Sequence, residues 1–318
     1  MSPGFRALHE GLVDYAGLFP PAALDLDSAI RNFARYRAGA DAWMLGRFIL
    51  PASRLGEVEA FAPLFASGSP ARFSILGPAP EAEPDGWLNG AREALGDSRQ
   101  WEAEYPAFVA DRFEVKLPAS LAVEPGLANL LGDLDAAYRE GGDDGPRAAL
   151  EVPFSTHPEA VGPAAQAVAD ANGRAGRPAF ALKLRCGGVT PDLVPSVEAL
   201  SAAIIEARDA GVPFKATAGL HHPLPNFDEA VGARMHGYLG VFGGAVLARV
   251  HRLGADDLAE ILDDAEADAW RLDEDGVAWR SLRASPAETA DGRAHFALSF
   301  GSCSFDDPRE DLRSLGWL

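Results

Sequence analysis

Eight short apolar runs, most of them bounded by glycine or proline, alternate along this chain with longer amphipathic stretches. The runs cover 15–20, 43–50, 72–76, 112–117, 148–154, 180–185, 213–217 and 296–300. Between them, 24–37, 86–103, 126–139, 163–172 and 193–210 repeat apolar side chains at helical spacing. Alternation carried to eight strands favours a closed barrel over an open doubly wound sheet. An open nucleotide-binding sheet usually begins with a glycine-rich turn, and neither GxGxxG nor GxxxxGK[ST] occurs. The expected fold is therefore α/β, a single (β/α)8 TIM barrel spanning 1–318.

The spacing is interrupted once. From His221 to His295 the chain is far longer than an ordinary connection. This stretch predicts an amphipathic helix over 228–250, an acidic helix over 255–266, and a hairpin of 270–272 with 277–282 turning at Asp275-Gly276. It reads as an insertion at about 222–295 between strands 7 and 8, placed where it could cap the barrel mouth, or else as a small subdomain.

A length of 318 residues with 47% apolar and 24% charged residues suits one large folded core. The net charge of -19 argues against nucleic acid and anionic membrane surfaces as partners. Two cysteines, Cys186 and Cys303, are too few for a disulfide framework. With no run of eighteen apolar residues and no signal-peptide pattern at the N-terminus, a cytoplasmic protein is expected. The expected partner is a small anionic molecule, and a homo-oligomer stays open.

Of 28 basic residues only Lys116, Lys183 and Lys215 are lysine, and all three fall in strand-like runs. Arginine cannot supply a neutral amine in a protein, whereas a buried lysine can. Side chains at the C-terminal ends of barrel strands alternate between interior and helix layer. That alternation puts Glu114 with Lys116, Glu151, Lys183 with Arg185 and Gly187, and Lys215 with Thr217 and Gly219 on the interior face. A buried Glu114–Lys116 pair alone would serve as a structural salt bridge. Two lysines on neighbouring strands are different: at about 6 Å and an effective dielectric near 20 they repel by roughly 3 kcal/mol. With desolvation added, one amine is expected to fall from about 10.4 towards roughly 7–8.

The run Lys183-Leu-Arg-Cys-Gly187 has a Lys-x-x-x-Gly frame, and Phe214-Lys215-Ala-Thr-Ala-Gly219 follows one helix later. The final run is Phe300-Gly301-Ser302-Cys303-Ser304, and Glu151 sits in Leu-Glu-Val-Pro. In these pieces the chain resembles deoxyribose-phosphate aldolase, a class I (Schiff-base) barrel aldolase. The resemblance implies Lys183 as the imine-forming lysine, Lys215 as the amine that tunes it, and the Gly301–Ser302 turn as a phosphate-holding segment. Glu114 is the candidate for the acidic residue of the family's proton relay. After Lys215 the chain departs from the family, reading Gly-Leu-His-His where a basic residue follows Gly-Gly.

Other groups complete the set. His221 and His222 leave strand 7 on opposite faces, so one of them can act as acid or base at the mouth. With His236 they are also candidate divalent-metal ligands, although no metal-binding spacing such as H-E-x-x-H is present. Gly187-Gly188 ahead of a helix, Gly301 and Ser302 offer backbone N–H groups, and Arg185 a cation, to a carboxylate or phosphate. Arg47 is a further anion contact or a surface salt bridge. Asp14 and Tyr15 read as a tight first-strand exit. Cys186 and Cys303 read mainly as buried thiols.

The favoured expectation is an enzyme without a cofactor: an aldolase-like lyase forming a lysine imine with a small anionic carbonyl compound. The alternatives are a metal-dependent barrel hydrolase or lyase built on His221, His222 and His236, and a non-catalytic barrel that binds an anionic metabolite.

Overall fold

The computed structural model describes residues 1–65, 68–81, 83–139 and 147–318, with Arg147 as backbone only. Eight parallel strands close into a barrel. In chain order they are β1 (Val13–Tyr15), β2 (Leu45–Pro51), β3 (Ala71–Leu76), β4 (Phe108–Lys116), β5 (Arg147–Glu151), β6 (Phe180–Arg185), β7 (Phe214–Thr217) and β8 (Ala297–Ser302). Each strand neighbours the next, and β8 returns to β1 through Val13 opposite Phe300. The barrel predicted from the strand–helix alternation is the fold observed.

Helices Leu26–Arg37, Pro84–Glu104, Leu127–Arg139, Val161–Ala175 and Val197–Asp209 clothe the strands. Their starts follow local chemistry: Asp25 and Ser196 cap the first and last of these by accepting the N–H of Ser28 and Ala199. Between barrel and helices, Phe33, Phe48, Phe73, Trp101 and Phe108 pack mainly edge to face, with Trp101 stacked on Phe108 at 4.6 Å.

Three local expectations are corrected. The first strand is Val13–Tyr15, not 15–20, because the pattern is broken by an inward carboxylate, Asp14, which is fully buried. The segment 228–250 is not one amphipathic helix. It begins as a two-stranded antiparallel sheet, Asn226–Asp228 with Ala233–Met235. The turn forms because Asp228 accepts the N–H groups of Ala230 and Val231 and Gly232 takes a positive φ of 72°. The helix proper is Tyr238–His251, buried without a break from Tyr238 to Ala248. Phe242 on this helix stacks on Phe214 of β7 at 5.8 Å and lies 5.6 Å from Phe300 of β8. Its glycines face outward neighbours closely, so that a Cβ on Gly243 would stand 2.9 Å from Trp270. The insertion is thus wrapped around a helix of the barrel's own outer ring.

The third correction concerns where the insertion goes. Only its hairpin, which follows β7, lies at the mouth. The three-stranded sheet Trp270–Asp273, Gly276–Trp279 and Leu282–Ala284 packs on the N-terminal helix Pro3–His9, which leads into β1. Ser2 Oγ donates to Leu272 O at 2.6 Å, and Gly4 lies directly against the Gly276 backbone. The sheet therefore packs on the helix that leads into β1 and on the helices Tyr238–His251 and Pro286–His295, not over the mouth. Arg293, on the last of these helices, is buried and donates to Leu8 O at 2.8 Å and to the carbonyls of Ala297 and Leu298. Burial lowers its pKa to about 9. Among the described residues no helix is long and apolar enough to cross a membrane.

Candidate functional site

The barrel interior carries a continuous charged layer near its mouth. Lys183 on β6 pairs with Lys215 on β7, and Glu151 on β5 with Lys183, in the strand register. Lys183 Nζ stands 2.8 Å from Glu114 Oε2 and 2.7 Å from Glu151 Oε2. Lys215 Nζ contacts Glu114 Oε1 and lies 3.0 Å from Asp14 Oδ2. Arg185 Nε is 3.5 Å from Glu151 Oε1. Ser74 Oγ donates to Glu114 Oε1, and Ser299 Oγ to Asp14 Oδ2 at 2.8 Å. Three carboxylates, Asp14, Glu114 and Glu151, thus alternate with three cations, Lys215, Lys183 and Arg185.

The register brings these together without help from the loops. β1, β4, β5, β6 and β7 each contribute one inward residue at nearly the same height, and the alternating neighbours Val13, Val115, Leu150, Leu182, Leu184, Phe214 and Ala216 face the helices as core. Lys215, Asp14 and Glu114 are buried completely or nearly so, whereas the Lys183 side chain keeps 7% exposure and Arg185 29%. Access to the layer therefore runs past Arg185 to Lys183.

The charge order decides the protonation states. Burial alone would lower the pKa of Lys183, but Glu114 and Glu151 outweigh it and hold the ammonium well above its usual range. Burial would raise Glu114, Glu151 and Asp14; their cationic neighbours reverse that and keep each carboxyl below its usual range. This overturns the expectation that lysine–lysine repulsion depresses the pKa of Lys183. Glu114 stands between the two ammonium groups, and the attraction to it exceeds their mutual repulsion.

Other predicted site residues are placed differently. Lys116, expected beside Glu114, ends β4 at the exposed rim, where its charge favours ionised Glu151. Arg47 lies low in the barrel, joined to Asp111 and 3.7 Å from Asp14; it is an interior ion pair and not a surface one. Gly187 and Gly188 do not open a helix, since the next α-helix begins at Val197 behind its own cap. Gly187 instead lets its backbone pass Gly219: a Cβ there would meet Gly219 Cα at 2.8 Å and Met235 Cε at 2.8 Å. Met235 belongs to the hairpin over the mouth, so these glycines seat that hairpin. Gly301 faces the interior between Ile49 and Thr217, and Ser302 is buried with its carbonyl accepting from Ala16 N at 2.7 Å.

The chain leaves β7 through Ala218 and Gly219, both at positive φ (60° and 73°), which swings His221 over the end of β8. His221 Nδ1 bonds Asp307 Oδ2 at 3.1 Å, and its Nε2 lies 3.7 Å from Cys303 Sγ. Burial lowers the His221 pKa, but the bonds to Asp307 and Cys303 raise it to about 9. His222 bonds Asp311, and His236, buried, shares its Nε2 with Pro195 O at 2.9 Å. The three histidines do not converge, and no group of three or more His, Cys, Asp or Glu among the described residues could hold a metal ion.

Sequence reasoning missed Asp14, Ser74, Ser299 and Asp307 as site residues. Only Asp14 had a legible signal, a lone charge between Val13 and Tyr15; the others depend on strand pairing and on the path after β7.

No family model matches the chain, and no curated protein matches it. Among solved structures it is similar to the TTHB071 protein from Thermus thermophilus, soaked with ZnCl2. The two are 16% identical over 96% of each chain, with a TM-score of 0.42.

Proposed function

We propose that this chain is a lyase of the Schiff-base aldolase type, taking a small anionic carbonyl compound at the barrel mouth and forming an imine on Lys183. The observation that carries the reading is the Glu114 carboxylate held between Lys183 and Lys215, with Glu151 on the open side of Lys183. An amine nucleophile needs a base to take its proton and an acid to return it to the substrate oxygen, each within hydrogen-bond reach.

The steps follow from these contacts. Glu151 takes a proton from the Lys183 ammonium, and the neutral Nζ attacks the carbonyl carbon. The C=O π pair moves to oxygen, which regains the proton from Glu151 to give a carbinolamine. The carbinolamine nitrogen, still positively charged, gives one proton to Glu114, 2.8 Å away, and Glu114 passes a proton to the hydroxyl; water leaves as the nitrogen lone pair closes the C=N bond of the iminium. Glu151 takes the proton of the substrate's β-hydroxyl as the carbon–carbon bond breaks and its electron pair moves towards the iminium nitrogen, leaving an enamine and a free carbonyl fragment. Glu151 returns the proton to the enamine carbon, and water adds to the re-formed iminium to release the second fragment and Lys183. Arg185 and Lys116 supply cations at the rim for the substrate's anionic group. Lys183 is the nucleophile because it lies on the access path, whereas Lys215 is sealed beneath Asp14 and Glu114.

Borohydride reduction with a panel of small aldehydes, ketones and 2-oxo acids, followed by peptide mass spectrometry, tests the proposal. A reduced adduct on Lys183, absent in Lys183→Arg, is expected. A panel that leaves no adduct on any lysine overturns it.

The balance of three carboxylates against three cations favours a second reading, a non-catalytic barrel that binds an anionic metabolite through Arg185 and the rim. That reading predicts saturable binding with neither product nor trapped adduct.

A further inference from the structure

Directly above the lysine layer stands a group that the imine chemistry does not use. Cys303 lies one position beyond β8, whose Ser299 bonds Asp14, and is 8% exposed at the C-terminal end of that strand. His221 points Nε2 at the Cys303 sulfur from 3.7 Å and is anchored through Nδ1 to Asp307. Asp307 is itself oriented: Ser304 Oγ donates to Asp307 Oδ1 at 2.8 Å and accepts from the Asp307 backbone N–H at 3.1 Å. The order is nucleophile, imidazole, orienting carboxylate, assembled from the ends of β7 and β8 and the following helix Asp306–Ser314.

The chain's other thiol has none of this. Cys186 is fully buried, its sulfur bonded to backbone groups of the strands at Leu184 O (3.8 Å) and Thr217, and burial pushes its pKa up to about 12. The contrast within one molecule sets apart the Cys303 surroundings from ordinary burial.

We infer that Cys303, His221 and Asp307 form a second reaction centre at the barrel mouth, in which the Cys303 sulfur adds to the carbonyl carbon of a small ligand. The pairing of a soft nucleophile with an imidazole N–H fits this class of electrophile, because the developing oxyanion needs a proton donor beside the sulfur. At attack the thiol proton resides on His221 Nε2. The Sγ–C bond forms, the C=O π pair moves to oxygen, and Nε2 delivers its proton there. With an aldehyde the product is a hemithioacetal and the reaction is complete and reversible. With an activated ester the tetrahedral adduct collapses, the alcohol leaves with the proton, and an acyl group stays on sulfur. Asp307 is a positioning residue, holding the imidazole through Nδ1. The inference stands on this geometry and holds whether or not Lys183 forms an imine.

Timed iodoacetamide labelling of the full chain, read by peptide mass spectrometry, tests it. Cys303 is expected to label about tenfold or more faster than in His221→Gln, with Cys186 unlabelled until the chain is denatured. Asp307→Asn is expected to slow labelling less and to move the His221-linked inflection of its pH profile to lower pH, because the carboxylate that raises the His221 pKa is gone; His222, Asp311 and Cys303 are unchanged around it. Propanal should protect Cys303 reversibly, in Lys183→Arg as in the parent chain, whereas 4-nitrophenyl acetate should leave a stable acyl group. The two arms distinguish aldehyde from ester chemistry. Equal labelling rates in the parent, His221→Gln and Asp307→Asn, with near-UV circular dichroism unchanged, overturn the reaction centre. Absence of both protection and an acyl adduct overturns the carbonyl assignment. If His221→Gln does not fold, the Asp307→Asn rate and profile decide.

Discussion

Glu114 Oε2 lies 2.8 Å from Lys183 Nζ, and the other oxygen of the same carboxylate contacts Lys215. One side chain from β4 thereby bridges two lysines from β6 and β7. Two ammonium groups on adjacent strands repel; the carboxylate between them offsets that repulsion and fixes both side chains in place.

Glu114→Gln removes that attraction at nearly constant shape. Since Glu114 raises the Lys183 pKa, the variant should let Lys183 lose its proton at lower pH. The pH profile of borohydride trapping is expected to shift its rising limb towards neutral by a unit or more, with a stability loss of about 2–4 kcal/mol in urea denaturation. An unshifted profile would show that Glu114 does not govern the amine.

The parent chain should trap carbonyl compounds faster as pH rises. The reactive neutral amine is the minor form of Lys183 at neutral pH, because Glu114 and Glu151 hold it protonated. A flat profile between neutral and strongly alkaline pH would contradict this.

Lys215→Met leaves Asp14 and Glu114 buried without their shared cation. A stability loss of about 3–5 kcal/mol is expected, because breaking a buried pair strands a charge. Lys183→Arg should cost less, since it keeps a cation opposite Glu151, yet should abolish the trapped adduct. Chemical denaturation of both variants separates the two effects.

Arg185→Leu should raise KM for an anionic carbonyl substrate about 10–100-fold and leave trapping of an uncharged aldehyde nearly unchanged, as expected for loss of one charge-assisted contact worth about 1.5–3 kcal/mol. Equal weakening with charged and uncharged compounds would remove Arg185 from anion binding.

Acid should act on stability in two windows. His9 is fully buried, its Nδ1 bonded to Phe5 O, and burial lowers its pKa from 6.5 to about 4. A group depressed on folding stays neutral while the unfolded chain takes up the proton, so stability falls between pH 6.5 and about 4, by about 3 kcal/mol. Below the ordinary values of 4.5 for glutamate and 3.8 for aspartate, Glu114, Glu151 and Asp14 add a second loss as pH falls towards their lowered folded values. His9→Phe should remove the first window and leave the second, which calorimetry across pH 7 to 3 would resolve.

The sequence by itself determined the barrel and the inward charges of β4 to β7. The eightfold alternation, the 180–185 strand and the parity that aligns Glu114, Glu151, Lys183 and Lys215 are all local patterns, and side-chain alternation along a strand needs no knowledge of its neighbours. The alternation broke where a polar residue faced inward, at Asp14, and where a turn was built from Asp228 and Gly232 ahead of a buried helix. Tertiary structure decided who pairs with whom. Lys116 and Glu114 share a strand face, but the closed sheet sets Glu114 against β6 and β7 and leaves Lys116 at the rim. It also reversed the sign of the Lys183 shift, since two lysines read along a chain show their repulsion while the carboxylate between them comes from a strand about seventy residues away. Cys303, His221 and Asp307 were brought together in the same way, by a positive-φ turn after β7 that no periodicity announces. Local pattern sets which face a side chain takes; only closure of the barrel sets the distance between charges, and distance is what governs their energy.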